Sequence, residues 1–164
     1  MRYETTLKNT NLQAFLHTLA YSEGTNLYPL ADQYRVKFGS TPKKPRLCTS
    51  MLDHPREIYQ DKAFPKGSDA SGRYQFMSFT WDVLRKSLDL PDFSPKCQDV
   101  ACTGLISMCN ALNDICLGRF DVAVQKCNRT WASLPGSPYG QPTHLLVALR
   151  NYYITMGGQI SMIE

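Results

Sequence analysis

Residues 12–25, LQAFLHTLAYSEGT, decide how this chain is read. Leu12, Phe15, Leu16, Leu19 and Ala20 have the spacing of a helix that buries one face. Glu23 follows Leu12 by about three turns, so it continues the same inward stripe. Gly24 comes next and reads as a C-cap. A carboxylate at that point meets two penalties, the loss of water and the negative end of the helix dipole, and both raise its pKa. Moving a glutamate from about 4.3 to about 6 costs its ionised form roughly 2 kcal/mol, which partial burial can supply. The outcome is a general acid near neutral pH. On the stripe alone, an ordinary solvated glutamate in a last helical turn is the competing reading.

At 164 residues the expectation is one domain with a real core. No apolar run approaches the length of a membrane span, and MRYETTLKNTNLQ has no apolar signal region. These features lead us to expect a monomer made in a cytosol, without stable membrane insertion. A net charge of +4 suits an anionic polymer, either cell wall or nucleic acid. The basic residues are scattered, however, and the densest group (Lys43, Lys44, Arg46) is interrupted by Pro42 and Pro45. With no aromatic-rich basic motif, nucleic acid is the disfavoured partner.

Six cysteines raise disulfide and zinc readings. Cys102, Cys109 and Cys116 fall at seven-residue intervals. On one straight helix they would sit roughly 10 Å apart along the axis, too far to bridge or to chelate one ion. They read as small core hydrophobes. Whether Cys48, Cys97 or Cys127 pairs with another is left open by the sequence. With no H-E-x-x-H and no P-loop pattern, no metal or cofactor is expected.

After the first helix, residues 25–70 lose helical periodicity and become rich in Tyr, Pro, Gly, Lys and Asp. QYRVKFGS (33–40) alternates like a short strand, so this segment reads as a small β-containing lobe with long loops. A loop over 68–76 leads to a helix over 78–89 capped by Ser78. Ser94 and Pro95 open another helix, a further one spans 120–132, and Thr143 caps a last helix that Gly157 and Gly158 stop. The fold class is α+β, mainly α, with the irregular β lobe inserted after the first helix.

Two loops suit sugars. Gly72-Arg73-Tyr74-Gln75 offers a guanidinium, a ring and an amide, and residues 136–141 offer Tyr139 and Gln141. Rings stack on sugar faces and amides bond hydroxyl and acetamido groups; taken alone, each loop reads sooner as a packed turn. Ser22 has no G-x-S-x-G context, and His54 reads as a loop brace sooner than a base.

Several blocks are shared with a known family: AFLHTLAYSEGT (14–25), YRVKFGS (34–40), DHPREIY (53–59), SGRYQF (71–76), DFSPK (92–96) and WASLPGSPYGQ (131–141). In these the chain resembles the bacteriophage lambda endolysin family of lysozyme-like lytic transglycosylases. That resemblance implies a two-lobed lysozyme-like fold and cleavage of the β-1,4 bond between N-acetylmuramic acid and N-acetylglucosamine in peptidoglycan. It implies Glu23 as the sole catalytic carboxylate, with 1,6-anhydro-muramic ends as product. Tyr74, Gln75, Arg73, Tyr139, Gln141 and Tyr34 carry over as substrate-binding residues. The match is poorest over 26–52, where Arg35 replaces an acidic residue. It further implies a holin-type partner for release from the host cytoplasm, with action in the periplasm. A hydrolytic muramidase is the alternative and needs a second carboxylate, for which Asp53 and Asp69 are candidates. A non-catalytic wall-binding module is the remaining reading.

Overall fold

A computed structural model describes residues 3–62, 64–140 and 142–161. Its helices are α1 (Thr10–Ser22), α2 (Leu30–Gln33), α3 (Ser78–Leu88), α4 (Pro95–Met108), α5 (Leu112–Cys116), α6 (Phe120–Cys127) and α7 (Leu146–Thr155), with 3₁₀ turns at Thr6–Lys8 and Thr25–Leu27. The chain divides into two compact units, one formed by residues 1–22 with 102–164 and the other by residues 23–101. The expected lobe at 25–70 lies inside the second.

In the first unit, α1 is started by Asn9, whose side-chain oxygen accepts from the Leu12 N–H at 3.0 Å. Its stripe is buried as expected: Leu12, Phe15, Leu16, Leu19 and Ala20 are each at most 1% exposed. Phe15 meets Phe120 of α6 edge-on at 5.9 Å, and Phe120 meets Tyr153 of α7 at 4.7 Å. Tyr21 stacks on Tyr152 at 4.3 Å. Such ring contacts contribute about 0.5–1.5 kcal/mol each beyond the area they bury.

Four helices end alike. At the ends of α3, α4, α5 and α7, the residues Asp89, Asn110, Gly118 and Gly157 take positive φ (52°, 55°, 76° and 89°). In each case the next N–H reaches back five residues: Leu90 to Arg85, Ala111 to Ile106, Arg119 to Asp114 and Gly158 to Tyr153, at 2.8–3.2 Å. This Schellman arrangement satisfies carbonyls the helix would leave orphaned. It also corrects the cysteine stripe. The seven-residue pattern runs through Cys109, but Asn110, a residue tolerant of the left-handed region, turns the chain there. Cys102 therefore lies in α4, Cys109 in the turn and Cys116 in α5.

The second unit departs further from expectation. Residues 33–40 form no strand. Leu30–Gln33 is a helical turn opened by Pro29, and the Arg35 N–H closes on Asp32 O at 2.8 Å. Only Val36 and Lys37 pair, with Leu47 and Ser71, and among the described residues the β structure is confined to five isolated bridges. The core beneath holds Trp81 against Phe93 at 4.7 Å and Phe76 at 5.9 Å. The helix expected at Ser78 is present, but Met77 is its N-cap and Ser78 its first residue, while α4 begins at Pro95 with Ser94 O accepting from Gln98 N. The last helix starts later than expected, at Leu146, since His144 packs on Tyr21 at 4.8 Å and the chain stays extended through Leu145.

Replacing Asn110 tests the break between α4 and α5. Asn110→Ala should lower stability by about 1 kcal/mol in urea unfolding, while Asn110→Gly should not. Equal losses in both would contradict a backbone role.

Candidate active site

The last residue of α1 is Ser22, 6% exposed, and its hydroxyl donates to Ser133 Oγ at 2.8 Å. Glu23 comes immediately afterwards and is half-buried. Gly24 then takes φ 72°, and nothing lies within 4 Å of where a Cβ would stand. Glycine is needed there for its backbone conformation, not for space. The carboxyl of Glu23 is thus held where a helix stops and the chain turns away.

Within the 23–101 unit Glu23 lines a cavity of about 570 Å³. Aromatic and polar groups share its wall: Tyr28, Phe38, Tyr59 and Phe64 with Ser40, Thr41 and Gln75. Phe38 meets Phe64 edge-on at 4.9 Å, and the Arg46 guanidinium lies 4.4 Å over the Tyr59 ring. Gly39 lets that ring come close, since a Cβ there would fall 2.3 Å from Tyr59 Cδ1. Rings with a few placed polar groups are the make-up of a small-molecule or sugar site.

Gln75 lines this cavity at φ 50°, its amide donating to Gly72 O at 2.9 Å and Val36 O at 3.2 Å. Arg73 and Tyr74, expected beside it on a groove, are instead 3% and 1% exposed and do not line the cavity. Arg73 Nη1 donates to the hydroxyls of Tyr34 (2.9 Å) and Tyr74 (3.2 Å), and its Nε to Gln33 Oε1 (3.1 Å). Tyr74 donates to Asp99 Oδ1 at 2.6 Å and Tyr34 to the same oxygen at 3.1 Å. Tyr34, likewise expected to touch substrate, is 8% exposed and faces this cluster. The physical reason is charge: a buried guanidinium needs acceptors, and these three side chains supply them. Burial pushes the Asp99 carboxyl up against the pull of Tyr74, Arg73 and Tyr34. Burial and the Asp99 charge push the Tyr34 phenol up to about 12.

The alternative carboxylates are placed elsewhere. Asp53 Oδ1 accepts from His54 N (2.8 Å) and Trp81 Nε1 (3.0 Å), and Arg85 and Arg56 pair with the same carboxylate. Burial would raise its pKa, but those donors outweigh it and hold the carboxyl below its ordinary range. Asp69 Oδ1 accepts from Ser78 N at the start of α3. Neither lines the Glu23 cavity, whereas Asp61 does. Its oxygens accept from Tyr59 OH at 3.1 Å and Phe64 N at 2.9 Å. Sequence reasoning missed Asp61 and the ring wall; the density of rings in YRVKFGS and in 58–64 was the available signal. Tyr139 is 57% exposed in the other unit and donates to Arg129 O at 2.7 Å; Gln141 lies outside the described residues. His54 is a brace: 3% exposed, bonded through Nε2 to Phe76 O at 2.8 Å and through Nδ1 to Arg56 N at 3.1 Å.

The family model named Endolysin matches residues 13–160. The chain belongs to the endolysin family. It has curated relatives of nearly its own length. It is 41% identical over 156 residues to the endolysin of Escherichia phage P2, covering 90% of this chain and 93% of that protein. Over 159 residues it is 38% identical to the endolysin of Escherichia phage lambda, covering 95% and 97%. Among solved structures it is similar to bacteriophage lambda lysozyme complexed with a chitohexasaccharide, with a TM-score of 0.85 and 37% identity over 93% of this chain and 97% of that one. This endolysin-family chain therefore has a lysozyme-like fold, α+β and mainly α.

Two outcomes follow from the buried groups. Arg73→Met should cost about 3 kcal/mol of stability by stranding Asp99, and Arg73→Met with Asp99→Asn should lose less than the sum of the two single changes, read by denaturant unfolding. Burial holds the His54 imidazole below its ordinary pKa. The unfolded chain then takes up that proton first as pH falls through about 6.5, so this contribution to stability is full above 6.5 and declines below it. An NMR titration should find His54 with its proton on Nε2 and a midpoint below 6.5; a midpoint above that would contradict the assignment.

Proposed function

We propose that this endolysin-family protein lyses the host by cleaving the β-1,4 bond between N-acetylmuramic acid and N-acetylglucosamine in peptidoglycan, with Glu23 as its catalytic acid. The supporting observation is a half-buried carboxyl at a helix end, lining a cavity walled by rings and a pinned glutamine amide. Glu23 donates its proton to the glycosidic oxygen as the bond to muramic C1 breaks. The resulting carboxylate takes the proton of the muramic C6 hydroxyl, which closes on C1 to give a 1,6-anhydro ring. One carboxyl acts twice, and water is not consumed. Gln75, and in this reading Tyr139 and Gln141, hold the sugars; Tyr34, Arg73 and Tyr74 act by fixing the loop that carries Gln75.

A hydrolytic reading stays attached to one observation. Asp61 lines the same cavity, and a muramidase needs a second carboxylate as nucleophile or base. Asp53 is a poor candidate, being engaged by several donors. For access to the wall, the reading includes release from the host cytoplasm through a holin-type partner, with action in the periplasm. Among the described residues, no helix is long and apolar enough to cross a membrane.

Mass spectrometry of digested peptidoglycan distinguishes the chemistries. Anhydro-muramic ends are expected, and reducing muramic ends alone would sink the transglycosylase reading. Glu23→Gln should lower the lysis rate of permeabilised cells by at least about 10³-fold without a change in melting temperature. Asp61→Asn should change that rate by less than about tenfold; a loss matching that of Glu23→Gln would move the assignment to the two-carboxylate mechanism.

A further inference from the structure

Cys109 and Cys127 lie far apart in sequence and meet in the 102–164 part of the first unit. The turn after α4 places Cys109 Sγ 3.2 Å from Thr130 Oγ1, just past the end of α6. Lys126 Nζ fixes the same approach, donating to Asn110 O at 3.0 Å and to Asp114 Oδ2 at 2.6 Å. Cys127 is the last residue of α6 and fully buried, and it lies between Lys126 and Thr130, whose side chains hold the turn that carries the part-buried Cys109. One sulfur is thus reachable from solvent and the other waits directly behind it.

We propose that Cys109 and Cys127 form a thiol–disulfide exchange site that closes an intramolecular disulfide on meeting a small-molecule disulfide. In the first step the Cys109 thiolate attacks one sulfur of the oxidant, breaking its S–S bond. One thiolate leaves, takes up the proton from Cys109, and a mixed disulfide remains on Cys109. The Cys127 sulfur then attacks Cys109 Sγ, its proton passing to the second leaving thiolate. Two protein thiols are oxidised by two electrons, and one external disulfide is reduced to two thiols. The hydrogen bond from Cys127 pulls the Cys109 thiol down to about 6 and pushes Cys127 up, so the exposed sulfur ionises first. In the disulfide the two sulfurs stand about 2 Å apart. The staple would join the end of α4 to the root of the loop that holds Ser133, the partner of Ser22. The site needs nothing from the Glu23 reading, and an oxidising periplasm is where such a pair would close.

The test treats the reduced full-length protein with oxidised glutathione under native conditions and follows intact mass and non-reducing peptide maps. The expected product has lost two hydrogens, links Cys109 to Cys127, and melts about 5–10 °C higher than the reduced form. Cys127→Ala should stop at one glutathione on Cys109, and Cys109→Ser should neither cross-link nor take up glutathione at Cys127. Since Cys127 is buried, the wild-type map decides the matter even if its variant folds poorly. A wild-type protein that keeps glutathione on Cys109, cross-links Cys102 to Cys127 instead, or stays unreacted overturns the proposal.

Discussion

Arg73 carries its charge at 3% exposure, so the 23–101 unit must keep acceptors around it or lose several kcal/mol. Tyr34, Tyr74 and Gln33 accept from it, and Asp99 stands 4.0 Å away, so residues 33–34, 74 and 99 meet around one charge. The backbone is tied in as well: Arg73 N donates to Gln98 Oε1 at 3.0 Å, and Thr25 Oγ1 donates to Arg73 O at 2.8 Å. Thr25 stands two residues after Glu23, and Gln75 two residues after Arg73. One buried cation therefore fixes the chain beside two side chains that line the cavity. In a segment whose described residues hold no regular strand, this polar cluster takes over the ordering role that a ladder of backbone bonds would otherwise fill.

How far the sequence could be read follows from whether each feature is local. The stripe of α1 and the glycine after Glu23 are patterns within fourteen residues, and both are present in the structure. Pro95 at the start of α4 is equally local. The helical turn at Leu30–Gln33 defeated the alternation of 33–40 because Tyr34 and Arg35 are held by distant partners, Asp99 and Cys48 O. Asn110 ended a periodic run of cysteines through a single backbone dihedral. Neither signal is carried by hydrophobic pattern.

The candidate site shows the same division. Resemblance located the Gly-Arg-Tyr-Gln loop and carried Arg73, Tyr74 and Gln75 over together as groove-lining residues. In the structure Arg73 and Tyr74 are buried beside Asp99, and Gln75 is the member that lines the cavity. Asp61 was invisible for a different reason. It sits in a loop shaped by its own bonds from Tyr59 and Phe64, and its approach to the cavity depends on the Tyr59–Ser68 bridge.

Those bonds bear on why one carboxyl could suffice. A nucleophile or general base works through an oxygen lone pair aimed at carbon or water, and donors already bound to it lower its basicity. Asp53 has such donors on a backbone amide, an indole and two guanidinium groups, and their effect outweighs its partial burial. Asp61 is exposed and accepts from a phenol and an amide, contacts that shape its loop. Glu23 differs in following directly on α1, whose last residue, Ser22, donates its hydroxyl to Ser133. A proton donor benefits from that fixity, because its oxygen must meet the leaving group in one geometry. In the proposed reaction the only nucleophile is the sugar's own C6 hydroxyl, so the chemistry requires no second carboxylate.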